Sequence, residues 1–211
     1  MKIKAFETNM IGENCYVVSD DKYGCIIDCG AFNESTWNQI KQYIETEKIE
    51  LIYALQTHAH FDHVYGLGFV KRDYGIAPMM HSMELSVYNN VPVMANGFGL
   101  PQPTLPLPAV EKYFNDGDTI SLGELKIEVI HTPGHTPGGV CFYIESEGVL
   151  FSGDTLFQGS IGRTDFPGGS QRMEIESIRE RLFTLPDSTT VYPGHGIKTT
   201  IKYEKQYNLY I

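Results

Sequence analysis

Three histidines and an aspartate fall within six residues, at His58, His60, Asp62 and His63. Imidazole nitrogens and a carboxylate crowded at that spacing are the donors of a metal site, carried where the strand-like run Ile49 to Gln56 opens into a loop. Three further residues stand in similar settings. His135 lies in Thr132-Pro-Gly-His-Thr-Pro-Gly-Gly139, Asp154 follows Leu150-Phe-Ser-Gly153, and His195 sits in Tyr192-Pro-Gly-His-Gly196. Each is placed where a strand gives way to a loop, the position at which a mixed scaffold gathers catalytic groups. Five histidines and two aspartates are one carboxylate more than two three-ligand sites need, and the surplus can bridge two ions. Nitrogen and oxygen donors without thiolate suit zinc, iron or manganese at a hydrolytic centre, whereas a structural zinc site is normally closed by cysteines.

Other residues take quieter roles. His81 and His131 each end a strand-like run, where a single histidine is usually structural. Asp28, ahead of Cys29 and Gly30, either hydrogen-bonds a ligand histidine or caps the turn at Gly30. Cys25 and Cys29 read as packing residues. No Gly-x-Ser-x-Gly nucleophile motif is present.

The elements that must position these groups come in two similar series. Lys2 to Thr8, Cys15 to Ser19 and Tyr23 to Asp28 are β-rich runs separated by turn residues, an antiparallel meander. Asn33 to Lys48 carries Trp37, Ile40, Tyr43 and Ile44 at helical spacing, with Asn33 or Ser35 as N-cap. Beyond the histidine run, Val64 to Tyr74 is expected to be helical, Ala77 to His81 a strand, and Met83 to Asn89 a helical turn or two. Val91 to Pro108 holds several prolines and reads as a long surface loop. Strands return at Ile120 to Leu122, Leu125 to His131, Gly139 to Glu145, Val149 to Ser152 and Thr190 to Tyr192. Helices are expected at Met173 to Leu185 and Ile197 to Tyr207. Two meanders, each followed by helices, pack as two sheets face to face with helices outside, an α+β class.

The chain of 211 residues is long enough for a sizeable core and is expected to form one domain, 1–211. Its net charge of -10, with no basic patch, disfavours nucleic-acid partners. No segment reaches the roughly 20 apolar residues of a membrane helix, and the N-terminus does not read as a secretory signal. Four cysteines without disulfide or zinc-knuckle spacing fit a reducing cytoplasm.

In order and spacing, the pattern His58-x-His60-x-Asp62-His63, then His135, Asp154 and His195, resembles the metallo-β-lactamase superfamily. The contexts Thr57-His-Ala-His-Phe-Asp-His63, Phe151-Ser-Gly-Asp-Thr-Leu-Phe157 and Tyr192-Pro-Gly-His195 are similar to its glyoxalase II branch, the hydroxyacylglutathione hydrolases. The resemblance implies a four-layer αββα sandwich with the site at one rim. It implies that His58, His60 and His135 hold one metal ion and Asp62, His63 and His195 a second, with Asp154 bridging. Zinc is the foremost metal, iron or manganese the alternatives. The implied reaction is hydrolysis of a small-molecule thioester by a metal-bound hydroxide, which Asp62 orients.

Full-length members of that branch carry a C-terminal helical domain for glutathione, and this chain ends at Ile211, so it resembles a short form. Substrate binding then falls to Gly159-Ser-Ile-Gly-Arg-Thr-Asp-Phe-Pro-Gly-Gly169, where Arg163 pairs either with a substrate carboxylate or with Asp165. The same segment resembles the persulfide dioxygenases, which implies a single iron on His58, His135 and Asp154 as the alternative. A lactonase or β-lactamase activity is the third reading.

Overall fold

A computed structural model describes residues 1–211. The first sheet runs in the order β1 (Lys2–Glu7), β2 (Asn14–Ser19), β3 (Tyr23–Ile27), β4 (Glu50–Leu55), β5 (Pro78–His81) and β6 (Lys112–Phe114). β1 to β3 form the expected antiparallel meander, and β4 to β6 then add in parallel. The second sheet is built from β7 (Thr119–Leu122), β8 (Leu125–His131), β9 (Val140–Ile144) and β10 (Val149–Gly153). A short ribbon, β11 (Leu156–Phe157) and β12 (Ser160–Ile161), stands apart from it. β13 (Thr190–Pro193) and β14 (Thr199–Thr200) complete the sheet, in the order β14-β13-β10-β9-β8-β7.

Alternation along the strands explains the layering. In β2, Tyr16 and Val18 face the space between the sheets while Cys15 and Val17 face helices. In β9, Val140, Phe142 and Ile144 face between the sheets and Cys141 and Tyr143 the other way. Both faces of these strands are therefore apolar, as a sheet covered on both sides requires. The outer face of the first sheet packs on α1 (Glu34–Thr46), α2 (Phe61–Val64), α3 (Leu67–Tyr74), α4 (Leu85–Asn89) and α5 (Val91–Gly97). Ile178 and Leu182, which follow α6 (Gln171–Ser177), and Ile201 of α7 (Ile201–Tyr207) cover the second sheet. The fold is an αββα sandwich.

Local departures from the sequence expectations have physical causes. Val91 to Pro108 is not wholly a loop: α5 occupies its first seven residues, because Pro92 falls in the first turn, where a missing N–H costs nothing. Gly66 divides the helix expected over Val64 to Tyr74 into α2 and α3. The last helix begins at Ile201 rather than Ile197, with Thr200 accepting the amide of Tyr203 as its cap. Asn33, not Ser35, caps α1 by accepting the Thr36 amide at 3.0 Å.

One rim of the sandwich carries the histidines. β3 runs parallel to β4, and β10 parallel to β13, so the C-terminal ends of each pair lie side by side. Asp28 and His58 leave one pair, and Asp154 and His195 leave the other.

Candidate metal centre

The residues singled out by spacing converge. Nitrogens of His58, His60 and His135 lie within 4.8 Å of one another. Their rings stand edge-on, with centroids 4.6–4.8 Å apart and planes crossed at 80–88°. That arrangement aims three lone pairs at one point instead of stacking three rings. A second group gathers Asp62, His63 and His195 within the same 4.8 Å limit. Asp154 lies between the groups: Oδ1 is 3.4 Å from His63 Nε2, and Oδ2 is 3.6 Å from both His135 Nε2 and His195 Nε2.

Partners on the far side of the rings fix which nitrogen faces inward. His135 Nδ1 donates to the Arg163 carbonyl at 2.6 Å and His195 Nδ1 to the Ile11 carbonyl at 3.2 Å. Thr57 Oγ1 accepts from His58 Nδ1 at 3.0 Å and donates to Asp28 Oδ2 at 2.6 Å, and His63 Nδ1 donates to the same oxygen at 3.1 Å. Each such bond selects the tautomer with a lone pair on Nε2 and holds the ring's orientation. Of the two roles open to Asp28 in the sequence, the structure therefore shows the histidine hydrogen bond. It makes that bond from a left-handed backbone, φ 52°, which an aspartate tolerates better than most residues. His81 and His131 lie outside both groups and stack on each other, centroids 4.4 Å apart.

The inward atoms are buried and unmatched. His58 Nε2, His63 Nε2, His135 Nε2 and Asp154 Oδ1 have no hydrogen-bond partner, a state that costs free energy unless a ligand meets them. The protonation states divide between the two groups. Burial, reinforced by neighbouring imidazoles, holds His58 well below the usual histidine range, and burial with His135 beside it brings His60 to about 3. Burial opposes ionisation of Asp62 and Asp154, yet His63 and its neighbours hold both below the usual carboxylate range. His63 is the reverse case: burial disfavours its charge, but Asp62 and Asp154 push it well above the usual range. His58, His60 and His135 are thus neutral imidazoles ready for a divalent ion, whereas His63 and His195, whose carboxylate neighbours favour the protonated form, would give up a proton to an entering ion, and the donor set fits one.

Three buried glutamates that spacing could not reveal brace the loops. Glu84 accepts Ala59 N through Oε2 and Gly138 N through Oε1, both at 2.8 Å, joining the loop of His58 and His60 to that of His135. Glu174, from α6, accepts His135 N at 2.7 Å. Glu13 accepts the Thr8 hydroxyl and lies where a Cβ on Gly30 would fall. Their pattern in the sequence is that of ordinary surface glutamates, and only the tertiary fold buries them. Gly194 is required on steric grounds, since an added Cβ would press on Asp154 Oδ1 and stand 2.8 Å from His63 Cε1.

The centre opens into a cavity of about 590 Å³ whose walls include Phe61, Phe98, Phe157, Ile161 and Phe166. Phe98, just past α5, meets Phe166 of the Gly159–Gly169 segment with centroids 5.8 Å apart. Arg163 reaches the same wall. Its guanidinium lies 3.9 Å from the Phe166 ring centroid and makes two 2.7 Å hydrogen bonds to the Asp165 carboxylate. Of the two pairings open to Arg163, this is the one the structure contains.

The family model of the metallo-beta-lactamase superfamily matches residues 10–195. The hydroxyacylglutathione hydrolase GloC of Haemophilus influenzae is 36% identical over 214 residues, covering 100% of this chain and 98% of that protein. Among solved structures, the BLEG-1 B3 metallo-beta-lactamase superposes with a TM-score of 0.88 at 31% identity, covering 99% of each chain. TTHA1623 in a di-iron-bound form superposes with a TM-score of 0.87 at 33% identity, covering 99% of this chain and 100% of that one.

Proposed function

The chain belongs to the metallo-beta-lactamase superfamily and is a metallo-hydrolase, and within that family we propose that it hydrolyses thioesters of the S-acyl thiol, hydroxyacylglutathione type at a binuclear centre. The observation that carries the reading is the division of the unmatched atoms between two donor groups. A single ion on His58, His135 and Asp154 would leave the second group, Asp62, His63 and His195, gathered with no ion to hold. In this reading His58, His60 and His135 would hold one ion and Asp62, His63 and His195 the other, with Asp154 within reach of both groups. Zinc is the proposed metal, and the same donors accept iron, the metal named for the TTHA1623 structure.

Such ions, when bound, supply Lewis acidity toward a carbonyl and bring the ionisation of a water to near neutral pH. The protein's part is orientation and exclusion. Asp62, its Oδ2 3.1 Å from His195 Nε2, is placed to orient the attacking hydroxide. Phe61, Phe98, Phe157 and Phe166 keep bulk water from the acyl group. A thioester suits such walls because its sulfur and acyl chain ask for few hydrogen bonds, and GloC's name supports the same chemistry. Ser160 is the one cavity hydroxyl or thiol that could attack covalently, and it has no imidazole partner. The four cysteines are free and buried, which supports a cytoplasmic location.

The test is turnover of S-lactoylglutathione and other acyl thiols by protein whose metal content is measured. Thioester hydrolysis with two ions per chain is expected. A fully loaded protein that cleaves no thioester would refute the reading. Oxygen uptake with a persulfide at one iron per chain would replace it by a dioxygenase, and turnover of lactones or β-lactams alone by the third hydrolase class.

A further inference from the structure

The cavity over the metal centre does not end at the aromatic wall. Past Ile161 and Arg163, which line both spaces, it adjoins a second cavity of about 340 Å³. That outer space is bounded by Gly162, Thr164, Asp165, Gln171 and Tyr210. It offers hydroxyl, amide and phenol groups and one carboxylate, and its only cation is Arg163. The inner cavity likewise has no lysine and no arginine but Arg163.

That one cation is already engaged. Two parallel hydrogen bonds tie Nε and Nη2 to Asp165, the fork arrangement in which a guanidinium binds any carboxylate, and Phe166 covers one face of the group. A substrate carboxylate would have to displace Asp165 or approach it closely, in the field of a protein of net charge -10. An amide or hydroxyl meets no such opposition and finds partners in Thr164, Gln171 and Tyr210.

Resting on the thioester reading above, we propose that the acyl group lies in the inner cavity and the thiol half extends past Ile161 into the outer one. Among the acyl thiols of that reading, the favoured thiol is an uncharged one bearing amide or hydroxyl groups, and Asp165 is the specificity residue that makes anionic thiols, glutathione included, the poorer substrates by occupying Arg163. The exposure of the pair, 54% for Arg163 and 65% for Asp165, places the exchange of side-chain partners at the mouth of the site, while the Arg163 carbonyl keeps its bond to His135 Nδ1.

The experiment compares two thioesters of one acyl group on the metal-loaded enzyme: S-phenylacetyl-N-acetylcysteamine, which is uncharged, and S-phenylacetylglutathione, which is anionic. The wild type is expected to favour the uncharged substrate in kcat/KM by about tenfold. Asp165→Asn is expected to raise the anionic-to-neutral ratio of kcat/KM by about fivefold, the scale of one partly exposed charge pair, and to do so through KM. Arg163→Gln added to Asp165→Asn should abolish the gain, which separates a freed cation from a general loosening of the loop. A wild-type preference for the glutathione thioester, or a ratio unmoved in Asp165→Asn, would overturn the proposal and leave thioester hydrolysis standing. Hydrolysis of neither substrate, nor of S-lactoylglutathione or any other thioester, would overturn both.

Discussion

Replacing Glu84 with alanine should weaken one metal group more than the other. Glu84 touches no ligand side chain; it holds Ala59 N and Gly138 N at 2.8 Å each. Two hydrogen bonds from buried amides to a carboxylate contribute about 3–6 kcal/mol together, and removing the acceptor leaves both donors unmet. Release of the carboxylate from its buried position offsets part of this, so a net loss of about 3 kcal/mol is expected in denaturant unfolding of chelator-treated protein. The two loops separated by this change contribute His58 and His60 on one side and His135 on the other. The first group should therefore lose about 10- to 100-fold in zinc affinity, measured by competition with a chromophoric chelator. The second group has both its aspartate and one histidine on a single loop and should change less. Glu84→Gln keeps one acceptor and turns an NH2 toward the other amide, so at least half the stability loss should persist. Unchanged affinity at the first group in a Glu84→Ala protein that has lost stability would refute the reasoning, because the brace would then be structural alone.

Gly194→Ala places a methyl group against Asp154 and His63, and metal analysis should find less than the wild-type content, whereas full content would show that the loop can shift at no cost. Asp28→Ala removes the acceptor of His63 Nδ1 and a residue suited to φ 52°, and should weaken the second metal group about 10- to 100-fold. Asp28→Asn retains an acceptor and should lose less; equal affinities in the two variants would contradict this role. Burial raises the Glu174 carboxyl from 4.5 to about 9, so the folded metal-free protein holds this proton more tightly than the unfolded chain does. Stability from this group is therefore full below pH 4.5 and declines as pH rises toward about 9. The stability of Glu174→Gln relative to wild type, followed by urea unfolding with a chelator present, should increase across that window, and a pH-independent difference would count against the buried carboxyl.

What the sequence exposes and what it hides divide along the range of the interaction. His58, His60, Asp62 and His63 are legible because a metal site needs several donors close together, and four of them lie on one loop. His135, Asp154 and His195 are legible by context, since each stands between an apolar run and a glycine or proline. Strand alternation and the α1 periodicity give the layers for the same reason, a local period that burial imposes. Glu13, Glu84 and Glu174 are silent because their partners are backbone amides and hydroxyls brought near by folding, and an amide has no side-chain signature. α5 is obscured by composition, prolines suggesting a loop where one of them begins a helix. Arg163 is legible as a cation near the candidate site, but its partner is not, since Asp165 and a substrate carboxylate satisfy it equally well in one dimension.

The hidden carboxylates also explain how two groups of ligands can be held open around a centre of charge. Asp28, Glu13, Glu84 and Glu174 are all buried against the metal loops, and burial alone would make such a concentration of acid unfavourable. Asp28, Glu84 and Glu174 are met by amides or a hydroxyl of the loops or by His63, and Glu13 by the Thr8 hydroxyl, so the first three grip the loop backbone while the ligands face inward. A ligand that shifted toward its neighbours to satisfy its own lone pair would have to break one of these grips. The unmatched nitrogens of His58, His63 and His135 are thus kept apart by acids that lie outside the two donor groups, and the free energy stored in that separation is recovered when a cation enters. The same division of labour places the residues proposed to govern specificity, Phe98, Phe166, Arg163 and Asp165, on segments largely outside the bracing. Arg163 is the exception, its carbonyl holding His135 while its side chain remains free to change partners. On the proposed role of the Arg163–Asp165 pair, substrate choice would vary through one side chain without loosening the metal, provided the backbone of Arg163 stays where it is.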